Sequence, residues 1–237
     1  MRKPLSTRIA AIDWNATAKH LSEDGFATTG TLLDENECAA IAALYDDEPR
    51  FRSRVDMAQH NFGMGEYKYF NYPLPKVVQA LRTNFYPRLS TIANQWAALL
   101  RDESAFPPRL STYLQHCRDA GQTRPTPLLL KYGAGGYNCL HQDLYGDLAF
   151  PFQLTILLTS PRRDFDGGEF LLTEQRPRMQ SRGSVVLLRQ GEAVIFPVRN
   201  RPARGKRAPY RVAMRHGVST IRKGSRLTLG IIFHDAK

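Results

Sequence analysis

A histidine and an aspartate stand one residue apart in the run NCLHQDLYG, as His141 and Asp143. If this run is a β-strand, alternate side chains point to the same face, so the imidazole and the carboxylate lie side by side. Two such groups can bind one metal ion, although the pattern His-x-Asp also occurs by chance in many proteins. The pair therefore indicates a metal site if a third ligand can be found.

The predicted third ligand is His216, in the run VAMRHGVST on another expected strand. Two histidines and one carboxylate on one face of an octahedron leave three adjacent positions open, the arrangement that non-haem Fe(II) oxygenases use. His60 and His116 fall in a helical region, where surface or cap positions are expected, and His234 is nearly terminal. The predicted catalytic residues and metal ligands are therefore His141, Asp143 and His216.

An arginine that follows the third ligand in the sequence could bind a carboxylate in the same cavity. Arg226 comes ten residues after His216, with Gly224 making a turn between them, so the arginine can point into the same cavity from the next strand. A buried guanidinium needs a bidentate carboxylate partner. Thr228 alternates onto the same face and could donate its hydroxyl to that carboxylate. The alternative is that Arg226 pairs with an acid of the protein, for which this acid-poor half offers few candidates.

The elements that must position these residues differ between the two halves. Residues 1–120 indicate a mainly helical region that packs on the core, and the clearest helix is 34–45, where Asp34 and Glu37 form a capping-box pattern. Further helices are expected at 76–100 and 110–120. Residues 121–237 indicate a mainly β core, a sandwich or barrel, with an exposed loop at 198–209. The expected strands are 127–132, 137–143, 151–159, 168–173, 184–188, 193–196, 211–221 and 226–233.

Composition sets limits on partners and location. At 237 residues the chain is long enough for one well-buried core, and no run of about 18 apolar residues predicts a membrane span. The N-terminus lacks the apolar region of a secretory signal and the three cysteines are scattered, so we expect reduced thiols and a cytoplasmic location. The net charge of +11 arises entirely after residue 120. Such a bias favours a polyanionic partner, or equally a basic protein that has none.

Several ordered motifs now carry a resemblance. HQD at 141–143, GGEF at 167–170, GEAVIFP at 191–197 and RHGVSTIRKGSRLTL at 215–229 together resemble the Fe(II)/2-oxoglutarate dioxygenase superfamily. The resemblance spans roughly residues 127–235. It implies a double-stranded β-helix, also called a jelly roll or cupin-like fold. It further implies Fe(II), 2-oxoglutarate and O2 as cofactor and co-substrates, with Arg226 holding the far carboxylate of 2-oxoglutarate.

Two branches of the superfamily compete. The segment KYGAGGYNCLHQD, with Tyr132 nine residues before His141, looks like the AlkB-type nucleic-acid demethylases, in which a tyrosine at this spacing contacts 2-oxoglutarate. The ten-residue interval between His216 and Arg226, and the GGEF element, look more like the prolyl-hydroxylase branch. Bacterial proteins with RVDMAQHNFGMGEYKYF ahead of the barrel are grouped as predicted oxygenases that act on damaged DNA.

Substrate contacts are expected from two places. Basic and aromatic residues interleave in the segment 52–72, and aromatic rings stack on unpaired bases while cations hold phosphates. The alternative is that EYKYFNY is a strand whose rings pack between the helices and the barrel. Tyr145 follows Asp143 by two residues and must lie near the metal. The candidate substrate residues are Tyr145, Arg54, Tyr67, Lys68 and Tyr69.

Three functions follow from these features. The first is oxidative demethylation of alkylated DNA or RNA bases, with nucleic acid as the partner and no obligate protein partner. The second is hydroxylation of a protein side chain or a free amino acid. The third is a non-catalytic barrel that binds nucleic acid, which the complete ligand set disfavours.

Overall fold

The protein is described by a computed structural model that covers residues 3–143, 146–206 and 208–237. The capping box predicted for the helix at 34–45 is confirmed, because Asp34 accepts from the backbone of Glu37 and the Glu37 side chain accepts from the backbone of Asp34. None of the helices in these ranges combines the length and apolarity that a membrane crossing needs. The α-helices are α1 (Leu5–Ala10), α2 (Trp14–Glu23), α3 (Glu35–Ala43), α4 (Lys76–Leu100) and α5 (Leu110–Asp119).

Short strands fill much of the remaining sequence, and all eight strands predicted after residue 121 are present. Short 3-10 helices occur at Leu44–Asp46, Glu48–Arg50 and Met57–His60. The strands are β1 (Ala27–Thr31), β2 (Phe51–Asp56), β3 (Gly63–Met64), β4 (Glu66–Phe70), β5 (Leu128–Tyr132), β6 (Tyr137–His141), β7 (Phe152–Leu157), β8 (Phe165–Gly167), β9 (Phe170–Gln175), β10 (Arg182–Val186), β11 (Glu192–Pro197), β12 (Asn200–Ala203), β13 (Tyr210–Val218), β14 (Ile221–Gly224) and β15 (Arg226–Ile232).

Two antiparallel sheets face each other. The larger sheet has the order β1-β11-β7-β15-β5-β4-β2, and the smaller has the order β10-β9-β13-β6-β3, with β12 paired to β13. Strands β8 and β14 form a separate pair. This arrangement is the double-stranded β-helix, so the predicted fold class is confirmed.

The boundary expected at residue 120 is crossed by strand pairing. Strands β1, β2 and β4 extend the larger sheet and β3 extends the smaller one, so the first 120 residues supply strands as well as helices. The pairing of β1 with β11 joins Ala27 to Ile195. Contacts between residues so distant in sequence depend on the assembled core, and local propensity does not reveal them. The helical region is thus built into the β core and completes its sheets.

Side-chain alternation gives the larger sheet two different faces. On β15, Leu227 and Leu229 are buried in the apolar cluster that also holds Phe85 of α4. Arg226 and Thr228 of the same strand line the cavity instead. The helices therefore cover the outer face of the larger sheet, and the cavity lies on its inner face, toward the smaller sheet.

The segment 198–209 is only partly the exposed loop that its Arg, Pro and Gly content predicts. Its first half contains β12, and Arg201 on that strand is 1% exposed. The Arg201 guanidinium pairs with Glu174 at 2.5 Å and donates to the carbonyl oxygen of Ser22 at 2.8 Å. A buried acid from a distant strand thus draws this arginine inward, whereas Arg204 and Lys206 are exposed as predicted.

Candidate metal centre and its cavity

The three predicted ligands lie on neighbouring strands of the smaller sheet. His141 ends β6, Asp143 follows two residues later, and His216 of β13 is the register partner of His141. His141 Nε2 is 3.4 Å from Asp143 Oδ1, and His216 Nε2 is 3.3 Å from Asp143 Oδ2. One donor atom from each side chain lies within 4.8 Å of the other two, so the three can share one metal ion.

Both histidines present Nε2 to the metal position, His141 because its Nδ1 is hydrogen-bonded and His216 because its Nε2 faces Asp143. His141 Nδ1 is 2.7 Å from the carbonyl oxygen of Cys139, which can only accept, so Nδ1 carries the proton and Nε2 keeps its lone pair. His216 Nδ1 is buried without a hydrogen-bond partner in the described part of the chain. Its Nε2 faces Asp143. Both Nε2 atoms are therefore directed at the position that a metal would occupy.

The protonation states of Asp143 and His216 suit a metal as well. Burial raises the pKa of Asp143, but its hydrogen bonds and attraction to His141 and His216 outweigh burial and hold that pKa well below the usual range. Burial lowers the pKa of His216. For His141, the interaction with Asp143 outweighs burial and raises the pKa. The carboxylate is thus ionised and His216 is neutral near pH 7, the forms that bind metals.

A glutamine from the opposite sheet contacts the ligands. Gln153 on β7 is 5% exposed, and its Nε2 donates to Asp143 Oδ2 at 2.8 Å and lies 3.5 Å from His216 Nε2. This bond holds Oδ2 of the carboxylate, while Oδ1 lies beside His141 Nε2. The sequence did not lead us to Gln153. Its signal is a single amide among the apolar residues of the run PFQLTILLT.

The predicted co-substrate residues meet at another part of the cavity. Arg226 is 2% exposed, and none of the described acids forms an ion pair with it. Its Nε has no hydrogen-bond partner in the described ranges, and burial lowers the pKa of Arg226 to about 10. A desolvated guanidinium of this kind is a site for a ligand carboxylate. Thr228 is 1% exposed, on the same strand face as Arg226, and lines the cavity.

Tyr132 completes this part of the cavity. It is fully buried and is the register partner of Arg226, whose guanidinium lies 5.8 Å from the centre of the tyrosine ring. The Tyr132 hydroxyl accepts from Asn138 Nδ2 at 3.2 Å. Burial raises its pKa to about 12, so the hydroxyl keeps a proton to donate. At Gly168 of the GGEF element φ is +64°, and a Cβ would lie 2.2 Å from Ile221 Cδ1 and 2.8 Å from Arg226 Cδ, so a glycine stands there.

One cavity of about 400 Å³ contains the ligands, Gln153 and Arg226. Its floor is formed by β13 of the smaller sheet and by β7 and β15 of the larger sheet. Its mouth lies beside β3 and β6, where Phe62 and Leu140 are 48% and 42% exposed. A volume of this size accommodates a small organic molecule in addition to a metal ion.

The candidate substrate residues separate in the structure. Tyr67 lines the cavity, and burial followed by the charge of Asp143 raises its pKa. Lys68 points to the opposite face, where Nζ donates to the carbonyl oxygen of Tyr45 at 2.9 Å. Alternation along β4 accounts for this division, because neighbouring side chains cannot share a face. Lys68, a predicted substrate residue, therefore does not line the cavity.

Two other candidates are also placed away from the cavity. Arg54 is mainly exposed on β2 and pairs with Glu66, so it does not line the cavity. Tyr69 is 7% exposed, packs edge-on against Tyr67 and lies under the guanidinium of Arg52. The packed-strand alternative thus describes β4 better than a binding surface does. Tyr145 lies outside the described residues.

The competing histidines are not ligands of this site. His60 ends a 3-10 helix and stacks on Phe62, and His116 lies in the last turn of α5. His234 is fully buried, and its Nδ1 accepts from the backbone N–H of Phe150 at 3.1 Å. Burial lowers the pKa of His234 to about 4, so it is neutral and structural.

Solved structures similar to this chain share its fold. A prolyl-4-hydroxylase of Pseudomonas putida superposes with a TM-score of 0.53 at 14% identity, covering 94% of this chain and 99% of that chain. A 2OG-Fe(II) oxygenase family oxidoreductase of Burkholderia pseudomallei gives 0.51 at 18% identity, covering 94% and 91%. A prolyl hydroxylase of Trichoplax adhaerens, solved with a hypoxia inducible factor peptide, gives 0.56 at 13% identity, covering 98% and 93%. At these identities the likeness establishes the double-stranded β-helix.

Sequence relatives give the family. An uncharacterized protein of Mycobacterium tuberculosis (strain H37Rv), Rv2227, is 50% identical over 167 residues, which are 70% of this chain and 72% of that protein. Residues 65–236 match a family described as "Oxygenase, catalysing oxidative methylation of damaged DNA". The three-residue ligand set and the buried arginine are those of an Fe(II)- and 2-oxoglutarate-dependent dioxygenase, which uses O2. The chain belongs to this oxygenase family, which its match over most of its length establishes.

Proposed function

We propose that this oxygenase removes a methyl group from an alkylated base of DNA or RNA. One observation carries the proposal: the match to a family described as acting on damaged DNA spans residues 65–236, which include all three metal ligands and Arg226. The basic second half of the chain supports the same substrate class, because a positive surface attracts polyanions. The cytoplasm, where the three free cysteines stay reduced, is the proposed location.

The side chains fit the cofactors in separate parts of the cavity. His141, Asp143 and His216 would hold Fe(II), and Arg226 would hold the far carboxylate of 2-oxoglutarate with Thr228 beside it. When bound, these groups supply the oxidation of a substrate C–H bond by O2, with succinate and carbon dioxide as the other products. The chain's own contribution is to fix the geometry of the ligands and to bury the anionic co-substrate away from water.

The surroundings of His216 help to exclude water from the reacting atoms. The rings of Phe170 and Phe196 lie 6.0 and 4.7 Å from its imidazole, and both are buried. An apolar wall on this side keeps solvent off the metal position. The open side faces Tyr67 and the mouth, so the substrate is expected to enter there.

Demethylation needs little further catalysis by the protein. Oxidation of an N-methyl group gives an N-hydroxymethyl group, which releases formaldehyde and leaves the N–H bond of the repaired base. A base must leave its stack to reach a cavity of this depth, and the cost is lowest for a damaged or single-stranded base. Single strands and frayed lesions are therefore the proposed preferred substrates.

The second candidate is hydroxylation of a protein side chain or a free amino acid. It is supported by the ten-residue interval between His216 and Arg226, which the structure spans with the short strand β14. The interval resembles that of the prolyl-hydroxylase branch. The interval concerns the part of the cavity proposed for 2-oxoglutarate, which every substrate would share. It is therefore weaker support for hydroxylation than the family match is for demethylation.

A product screen tests the two candidates directly. The purified protein is supplied with Fe(II), 2-oxoglutarate and O2, then offered N-methylated oligonucleotides, peptides or amino acids, and succinate and formaldehyde are measured. We expect both products with a methylated oligonucleotide, and we expect binding to weaken steeply with ionic strength because phosphate contacts release counterions. Succinate without formaldehyde, formed only with a peptide or amino acid, would establish the hydroxylase instead.

A further inference from the structure

An aromatic side chain is held open at the mouth of the cavity. Phe62 lines the cavity, yet 48% of its surface is exposed. Leu140 of β6, beside it at the mouth, is 42% exposed. Large apolar groups clustered at the entrance to a site are a recognised sign of a binding surface.

The backbone around Phe62 is firmly held. The Phe62 N–H donates to the carbonyl oxygen of Met57 at 3.0 Å, and the Phe62 carbonyl oxygen accepts from the N–H of Cys139 at 2.9 Å. Met57 is 1% exposed, which anchors the start of the segment. Gly63 pairs with Asn138 of β6 and has a φ of +135°. A Cβ there would lie 2.3 Å from the carbonyl oxygen of Tyr137, so only glycine allows this approach. The exposure of Phe62 is therefore imposed by the fold.

A second ring supports the first. The imidazole of His60 stacks on Phe62 with ring centres 5.3 Å apart and planes 24° from parallel. This pairing fixes the orientation of the phenyl ring and leaves its surface open to solvent. A flat ring held in place offers stacking area at a low entropic cost.

The distance between Phe62 and the metal ligands determines which base of a bound strand can contact Phe62. Phe62 bonds to Cys139, which is two residues before His141 on β6, or about 7 Å along a strand. Neighbouring bases of one nucleic-acid strand are about 3.4 Å apart when stacked. A base one or two nucleotides from the reacting base can therefore lie against Phe62.

The charges near the mouth favour an anionic strand. Neither the segment 57–65 nor the segment 120–142, which includes β6, contains an acidic residue. A phosphate backbone can thus approach this side of the mouth without repulsion from acids of these segments.

We infer that Phe62, supported by His60, is a stacking platform for a nucleobase that neighbours the one entering the metal cavity. This inference rests on the proposed function. Stacking on an aromatic side chain involves every base equally, so the platform adds affinity without reading sequence. It also replaces the stacking that this neighbouring base loses when the reacting base enters the cavity.

The test measures binding of a single-stranded DNA oligonucleotide that carries the fluorescent base 2-aminopurine next to an N-methylated base, without O2. Phe62→Ala should bind about 5- to 150-fold more weakly, the factor that corresponds to ~1–3 kcal/mol of stacking, and should lose the quenching of 2-aminopurine. The dependence of affinity on salt should stay unchanged, because no phosphate contact is removed.

Matched variants separate stacking from general apolar contact and from misfolding. Phe62→Leu keeps apolar surface without a flat ring and should bind nearly as weakly as Phe62→Ala, whereas Phe62→Trp should restore binding. Val185→Ala, on β10 at the other edge of the same sheet, removes an exposed apolar side chain and should leave binding unchanged. Fe(II) affinity equal to that of the wild type identifies the variants that are folded.

The outcomes distinguish this inference from the proposed function. If Phe62→Ala or Phe62→Leu binds and quenches like the wild type, while the wild type releases formaldehyde from methylated oligonucleotides, the platform is wrong and the proposed function stands. If the wild type binds no oligonucleotide and oxidises a peptide or an amino acid, both are wrong.

Discussion

The floor and the mouth of the cavity are built differently. At the floor, His216 and Arg226 are 8% and 2% exposed, and Gln153 connects the ligands to the opposite sheet. At the mouth, Phe62 and Leu140 are about half exposed. The floor carries charged and metal-binding groups in a desolvated setting, whereas the mouth offers apolar surface to solvent.

This difference separates the reaction from the choice of substrate. Electrostatic interactions at the floor act in a medium of low dielectric constant, so each lost partner has a large effect. Interactions at the mouth are partly solvated, and each has a smaller effect that depends on the substrate. Changes at the floor should therefore abolish activity toward every substrate, and changes at the mouth should shift affinity for one class.

The largest effect is expected at the floor of the cavity, when a metal ligand is removed. Asp143→Ala or His216→Ala should abolish Fe(II) binding, because two donors cannot hold the ion in a site built for three. Anaerobic calorimetric titration measures the affinity. His234→Gln, which alters a buried histidine outside the ligand set, is the control and should retain one Fe(II). Unchanged affinity in both ligand variants would disprove the assignment of the site.

The next effect concerns the co-substrate. Arg226→Ala should raise the concentration of 2-oxoglutarate needed for half-maximal turnover about 30- to 4000-fold, because losing a desolvated bidentate ion pair costs ~2–5 kcal/mol. Fe(II) affinity should survive. Arg222→Ala is the matched control, since Arg222 is exposed and lies 3.8 Å from Glu169. If the control shows the larger change, the carboxylate is bound at Arg222.

A smaller change at the floor tests the residue that contacts the ligands from the opposite sheet. Gln153→Leu should weaken Fe(II) binding about 10- to 100-fold, the usual cost of removing a partner that orients a metal ligand. Gln79→Leu, on α4, also removes an amide bonded to one side chain, that of Thr83, and should have no effect. Equal affinities for the two variants would show that Asp143 is oriented without Gln153.

The metal ligands and Arg226 at the floor could be predicted from sequence, whereas Gln153 could not, because it comes from the opposite sheet. His141 and Asp143 are two residues apart and lie together at the end of β6, and Arg226 lines the same cavity as His216. The long helix α4 begins and ends where its apolar pattern predicts. Such features depend on neighbours within a few residues, which the sequence displays directly.

The mouth could not be predicted, because its geometry depends on contacts between distant segments. Alternation separates Tyr67 from Lys68, but only the packing of β4 beside β5 decides which of them faces the cavity. Phe62 is placed by a bond to Cys139, which is 77 residues later, and no local pattern reveals that pairing. The sequence predicts that Arg201 is a surface cation, because no local pattern shows that Glu174 lies next to it.

The smallest expected effect tests the long-range attraction that should bring a strand to the mouth. Arg204→Ala combined with Lys206→Ala removes two exposed cations and leaves Arg201, which is one of the two arginines that pair with the buried Glu174. Oligonucleotide affinity should fall modestly. The slope of its logarithm against the logarithm of salt concentration should shrink by up to ~0.7 per lost phosphate contact on single strands. Affinities for Fe(II) and 2-oxoglutarate, measured by titration, should not change.

The matched control removes the same amount of positive charge from a different part of the surface. Lys76→Ala combined with Arg88→Ala removes two exposed cations from α4, on the far side of the larger sheet from the cavity. If attraction depends on where the charges lie, this variant keeps the wild-type salt slope, because α4 covers the face of the larger sheet that is opposite to the cavity. Equal losses in both double variants would mean that total charge alone attracts the strand. If neither double variant loses affinity for the oligonucleotide, the segment 204–206 is not part of the binding surface. The aromatic mouth would then hold the substrate without it.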